Sequence, residues 1–153
     1  MNESQVRSLA LFFFFTLLDE NLAERAALQG VKRIKHLMTK NKNQVEFDVN
    51  ALVVHVAISI FNKMKGREAF NKAHVGAKSK FILPKGFSLG AWRHFYKETD
   101  IDDVIAVIWS RILGFSDLQI ARGLGVPVGT IRHRVGRGLR QLGLLLTLGE
   151  AGA

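Results

Sequence analysis

The side chains best suited to chemistry in this chain are cations, and the densest group lies near the C-terminus. Arg132, His133, Arg134, Arg137 and Arg140 follow one another closely, with Thr130 just ahead of them. No acidic residue occurs between Leu118 and Gly149. Guanidinium groups in such a run suit phosphate and base edges, so the chemistry to expect is recognition of nucleic acid. Little else here could act on a substrate. His36, His55, His74, His94 and His133 are scattered with no i, i+4 pair, and the chain has no cysteine. No metal-ligand set forms from them, and no cofactor is expected. His55, on an apolar stretch, reads as a core or interface residue. Asp100, Asp102 and Asp103 read as helix-capping carboxylates rather than a catalytic pair. Trp92, Phe95 and Tyr96 could stack on bases, but core packing is the better reading. With no Ser-His-Asp order and no glycine-rich phosphate loop, a binding protein is expected, not an enzyme.

The basic run must be held by helices, and the local signals say which. Ser116-x-x-Gln119 has the form of a capping box ahead of a short apolar-periodic segment. A first helix is predicted over Asp117 to Leu124, with Ile120, Ala121 and Leu124 facing inward. Gly125 suits the left-handed position that ends a helix, and Gly125-Val126-Pro127 reads as a turn. A second helix is predicted from near Val128 to about Leu142. At about 100° per residue, Ile131, Val135, Gly138 and Leu142 form one buried stripe. Thr130, His133, Arg137 and Arg140 fall opposite, together with Gly129. Arg132 and Arg134 flank that face. Two helices joined by a tight glycine turn, from Ser116 to Leu142, describe a helix-turn-helix with a basic front.

The whole chain supports this reading. Its 153 residues carry 22 Lys plus Arg against 13 Asp plus Glu, a net charge of +9. A surplus of that sign attracts polyanions, nucleic acid first and an anionic membrane surface second. Leu9 to Leu18 (LALFFFFTLL) is about half the roughly 20 residues needed to span a bilayer. As a signal peptide it is poor, with only Arg7 basic before it and the acidic Asp19-Glu20-Asn21 behind. It reads as a buried helix of a cytoplasmic protein without a membrane partner.

The remaining segments also look helical. A first helix covers roughly residues 4 to 17. Asp19 can cap a second, along which Leu22, Ala26, Gln29, Arg33 and Leu37 advance, and Thr39 to Gln44 is turn-like. Asp48 can cap a third over about 49 to 64, with Leu52, Val53, Val56, Ile60 and Met64 at helical spacing. The run Val53 to Ile60 is also β-branched enough for a strand. Lysines and glycines crowd Lys65 to Gly86 and suggest a basic linker. Beyond it, Ser88 can cap a helix to about Lys97, and Thr99 and Asp100 can open one carrying Ile101, Val104, Ile105, Ile108 and Ile112. The apolar tail Leu142 to Leu148 should pack on the fold or on a partner. The expected architecture is all-α, with small helical domains at 1–70 and 87–153 joined by a basic linker at 71–86.

Gly114-Phe115-Ser116, Gln119-Ile120-Ala121 and Gly125-Val126-Pro127-Val128-Gly129-Thr130-Ile131-Arg132-x-Arg134-x-x-Arg137 resemble region 4 of the bacterial sigma-70 family. The likeness is nearest to the compact extracytoplasmic-function group. That resemblance implies a unit reading a −35 promoter element. It places Arg132, His133, Gly136 and Arg137 where the family contacts bases and phosphates, and Thr130 and Arg134 where docking is supported. Gln119 replaces a usual acid, and Gly136 and Gly138 stand where better helix formers are common, each costing about 1 kcal/mol of propensity. In the N-terminal half, Leu18-Asp19-x-x-Leu22-Ala23-Glu24-x-Ala26-x-x-Gln29 is similar to the start of the region 2 helix that binds polymerase, with Arg25 in place of an acid. Asn50 to Arg67 resembles the family's promoter-melting helix. The resemblance implies promoter DNA and core RNA polymerase as partners, together with a regulatory protein such as an anti-sigma factor. Two alternatives stand beside it. One is a degenerate sigma-like regulator that acts through protein contacts. The other is a helix-turn-helix repressor dimerised through the apolar N-terminal helix or the C-terminal tail.

Overall fold

The computed structural model describes residues 1–43, 48–65 and 89–151, with side chains through residue 145. The basic linker at 71–86, the Ser88 cap and the side chains of the tail beyond Leu145 lie outside the described residues. Those residues form helices and no strands. The order is α1 (Glu3–Leu17), α2 (Glu20–Lys40), α3 (Val49–Lys65), α4 (Leu89–Glu98), α5 (Ile101–Val107) running into a π-helical turn (Ile108–Ile112), α6 (Asp117–Leu124) and α7 (Val128–Ala151).

Local chemistry sets the helix ends. Asn2 and Gln5 form a reciprocal capping box at the start of α1, each side chain accepting the other's backbone N–H at 2.9 Å. Asp19 caps α2 by accepting from Leu22 N–H at 2.9 Å. Asp48 does the same for α3, accepting from Asn50 N–H at 3.0 Å and Ala51 N–H at 3.3 Å. The β-branched run of α3 is therefore helical. Val53, Val56 and Ala57, then Ile60 and Phe61, recur at helical spacing on its buried side, and tertiary packing overrides the modest propensity cost.

From Leu9 to Leu17 α1 is apolar on nearly every side and lies in the core. Leu9 and Phe12 to Phe15 are fully buried, so all of the phenylalanines face neighbours. The Thr16 hydroxyl, also buried, donates to Phe12 O at 2.8 Å. α2 meets α1 through small residues, Ala23, Ala26, Ala27 and Gly30, which let the helices come close. The apolar run of α1 is taken up by the chain's own core, while Val6 ahead of it stays exposed. His55 sits on the exposed side of α3, which removes the core reading of this residue and leaves the interface one.

The same core extends into the C-terminal half. The Phe12 ring stacks on Trp109 at 4.8 Å and 20°. Trp92 Nε1–H donates to Phe15 O at 2.9 Å, with its ring edge-on to Phe15 at 5.4 Å. Replacing Trp92 with phenylalanine removes this buried hydrogen bond and part of the ring packing on Phe15. A loss of about 1–3 kcal/mol is expected, read from thermal or urea unfolding. Gly123 in α6 marks a close junction between the halves. A Cβ there would lie 2.5 Å from Val54 Cβ and 2.7 Å from Ala51 O, so α6 rests directly on the backbone of α3.

Candidate nucleic-acid interface

α6 and α7 are two helices joined by a tight glycine turn, as the local signals predict. Ser116 Oγ accepts from Gln119 N–H at 3.2 Å while Gln119 Oε1 accepts from Ser116 N–H at 3.1 Å. Gly125 takes the left-handed conformation, φ 68°, and its N–H bonds Ala121 O. The chain then re-enters a helix at Val128, with Thr130 N–H donating to Pro127 O at 3.1 Å. Ile120 and Ala121 of α6 and Ile131 and Val135 of α7 close the core beneath them. α7 does not stop near Leu142 as expected: it continues to Ala151, Leu142 and Leu145 stay against the core, and Leu144 is exposed.

The predicted front of α7 is exposed at Arg132, His133, Arg137 and Arg140, and partly covered at Thr130 and Arg134. That front is less purely basic than its own sequence implies, because acids reach it from other helices. Arg132 Nε lies 3.2 Å from Asp117 Oδ2 of α6. Arg134 Nη2 lies 3.8 Å from Asp102 Oδ2, and Arg137 Nη2 donates to Asp103 Oδ1 at 2.9 Å. Asp103 is buried, at 5% exposure. Of the aspartate cluster, Asp100 alone does the expected capping, accepting from Asp102 N–H at 3.0 Å. Asp102, Asp103 and Asp117 are the residues that sequence reasoning missed as part of this surface. A recess of about 370 Å3 at Asp103 is also lined by Glu98, Asp100, Arg137 and Arg140. Its mixed charge makes it a poor pocket for a free phosphate.

The glycines of α7 have opposite roles. A Cβ at Gly138 would come 2.5 Å from Val107 Cγ2 and 3.2 Å from Asp103 O, so this glycine lets α7 cross α5 at backbone contact. At Gly136 a Cβ would meet only Arg140 Nη1, at 3.7 Å. Gly136→Ala should therefore stabilise the protein by about 0.5–1 kcal/mol through helix propensity. Gly138→Ala should destabilise it by about 1–3 kcal/mol through overpacking. Thermal unfolding of the two variants reads both signs, and equal shifts would contradict the packing of α7 on α5.

Other candidates resolve into structure. Trp92 and Phe95 are buried, and burial pushes the Tyr96 phenol well above its usual range, so this aromatic group packs the core. No group of His, Asp and Glu among the described residues is placed to hold a metal ion. No helix among the described residues is long and apolar enough to cross a membrane. In the N-terminal half, Val6, Ala10, Ala27, Leu28 and Val31 line an apolar groove of about 310 Å3 between α1 and α2, rimmed by Glu20 and Glu24. Leu28 is 57% exposed there and Val6 38%, so two large apolar side chains line the same open groove.

No family model matches the chain, and no curated protein sequence matches it. Among solved structures, its fold is similar to that of the sigma factor RpoE, seen in a co-crystal structure with the anti-sigma factor NepR from Bartonella quintana. The superposition has a TM-score of 0.68 and covers 94% of this chain and 92% of that one, at 21% sequence identity. At that identity the likeness is one of fold, and the all-helical fold of this chain is sigma-factor-like.

Proposed function

We propose that this protein is a sigma-factor-like transcription regulator that binds promoter DNA through α7 and core RNA polymerase through its N-terminal helices. The observation that carries the proposal is the helix-turn-helix itself, with Arg132, His133, Arg137 and Arg140 exposed on a helix seated by Ile131 and Val135. Around it, the sigma-factor-like fold extends over nearly the whole chain. A helix of this form fits the major groove, where arginine matches guanine edges and backbone phosphates. Lysines and arginines supply a salt-dependent attraction, and base-edge contacts supply discrimination.

Polymerase binding is supported by the groove between α1 and α2, whose exposed Leu28 and Val6 give a protein partner apolar surface to cover. It lies on the segment that resembles the polymerase-binding helix of the family. A regulatory protein of the anti-sigma kind is a further partner, by analogy with the complex of the similar structure. Such a protein acts in the cytoplasm, binds no cofactor and catalyses no reaction of its own.

The test is reconstitution with core polymerase, read first by co-elution on size exclusion and then by run-off transcription from a promoter library. Co-elution with transcripts is expected. Co-elution without transcripts identifies a degenerate, non-initiating regulator, and failure to associate removes the polymerase half of the reading.

A further inference from the structure

Arg137 is held differently from its neighbours on α7. Its Nη2 donates at 2.9 Å to a carboxylate whose side chain is 7% exposed, while its own side chain is 46% exposed. One edge of the guanidinium is thus spent on Asp103 and the rest faces outward, with donors to spare in a planar fork. The carboxylate has little room to swing away. α7 sits on the backbone of Asp103 through Gly138, where an added Cβ would stand 3.2 Å from Asp103 O. The other pairs are looser. Arg132 and Asp117 are 71% and 37% exposed, and Asp102 is 58% exposed at 3.8 Å from Arg134. Water and salt weaken such pairs, and a phosphate can displace them.

We infer that Asp103 is a positioning residue that fixes the fork of Arg137 for reading a base edge, leaving Arg132 to contribute mainly affinity. The inference rests on the DNA-binding reading of α7. Bidentate recognition of a base needs the guanidinium plane set in advance, whereas a phosphate contact tolerates a mobile side chain. The Asp103 charge also subtracts from the general pull of α7 on the duplex. Freeing Arg137 and removing that charge should move the two kinds of binding in opposite directions. Simple loss of folded protein would lower both together.

The experiment measures binding of wild type, Asp103→Asn and Arg137→Lys to a randomised duplex pool and to the best duplex selected from it by wild type. In Asp103→Asn, affinity for the pool should rise by about threefold. The ratio of best-duplex to pool affinity should fall by about tenfold in both variants. Should Asp103→Asn not fold by circular dichroism, Asp103→Glu takes its place, with the carboxylate displaced and the same fall in ratio expected. A ratio within about twofold of wild type in either the Asp103 variant or Arg137→Lys overturns the inference. If wild type binds no duplex at all, the DNA-binding reading fails first, and that result is distinct from unchanged discrimination.

Discussion

Replacing Trp109, the largest fully buried side chain among the described residues, with alanine is expected to cost about 3–5 kcal/mol. Trp109 is fully buried and stacks on Phe12 of α1 at 4.8 Å. On its other side it tilts against Phe115 at 4.9 Å, at the entry to the helix-turn-helix. Removing the indole opens a cavity that neither neighbour can fill without leaving its own partners. Phe12 also touches Phe13 and Phe61 edge-on, so the damage spreads into both halves. Urea unfolding followed by circular dichroism gives the number. The same experiment on wild type should show a single cooperative transition, because α1 is shared by both halves. Alanine at exposed His55 should change stability by less than about 0.5 kcal/mol, which calibrates the contrast.

Removing Arg132 and Arg137 together should weaken duplex binding by about 10- to 100-fold near 0.1 M salt. The slope of log affinity against log salt should fall by about one, from the phosphate contact of Arg132, while the loss of Arg137 acts mainly on the selected duplex. Arg137→Ala also leaves the buried Asp103 carboxylate without its donor, a cost of about 1–3 kcal/mol in stability. Binding is therefore compared at a temperature where circular dichroism shows the variant folded. An unchanged slope would mean that the exposed front of α7 is not where DNA lies.

Features with local causes were legible in the sequence. The Ser116–Gln119 box, the Gly125 turn and the stripe of Ile131, Val135 and Gly138 depend on residues a few positions apart, so spacing alone reveals them. The helix over Val49–Lys65 was ambiguous for a physical reason: β-branched side chains suit both states, and packing decides. α7 outran its expected end because neither Leu142 nor Gly143 brings a turn or a cap, and Leu145 continues to pack on the core. The charge balance of the exposed front of α7 was not legible. Asp103 lies far from Arg137 along the chain and looks like a helix-capping acid until α5 and α7 are brought together. The same holds for Gly138, which reads as a weak point in a helix but marks where two backbones touch. Gly123 likewise gains its meaning only from Val54, on the other half of the molecule.

Site-directed cleavage tests most directly whether α7 lies in a groove of duplex DNA. The chain has no cysteine, so His133→Cys offers a single attachment point for an iron chelate on the exposed front of α7. His36→Cys, on the exposed side of α2, serves as the control. With a duplex selected for binding, cleavage from position 133 should be confined to a few base pairs facing one groove, and position 36 should give no such focus. Diffuse or absent cleavage from 133, or an equal focus from 36, would contradict the account.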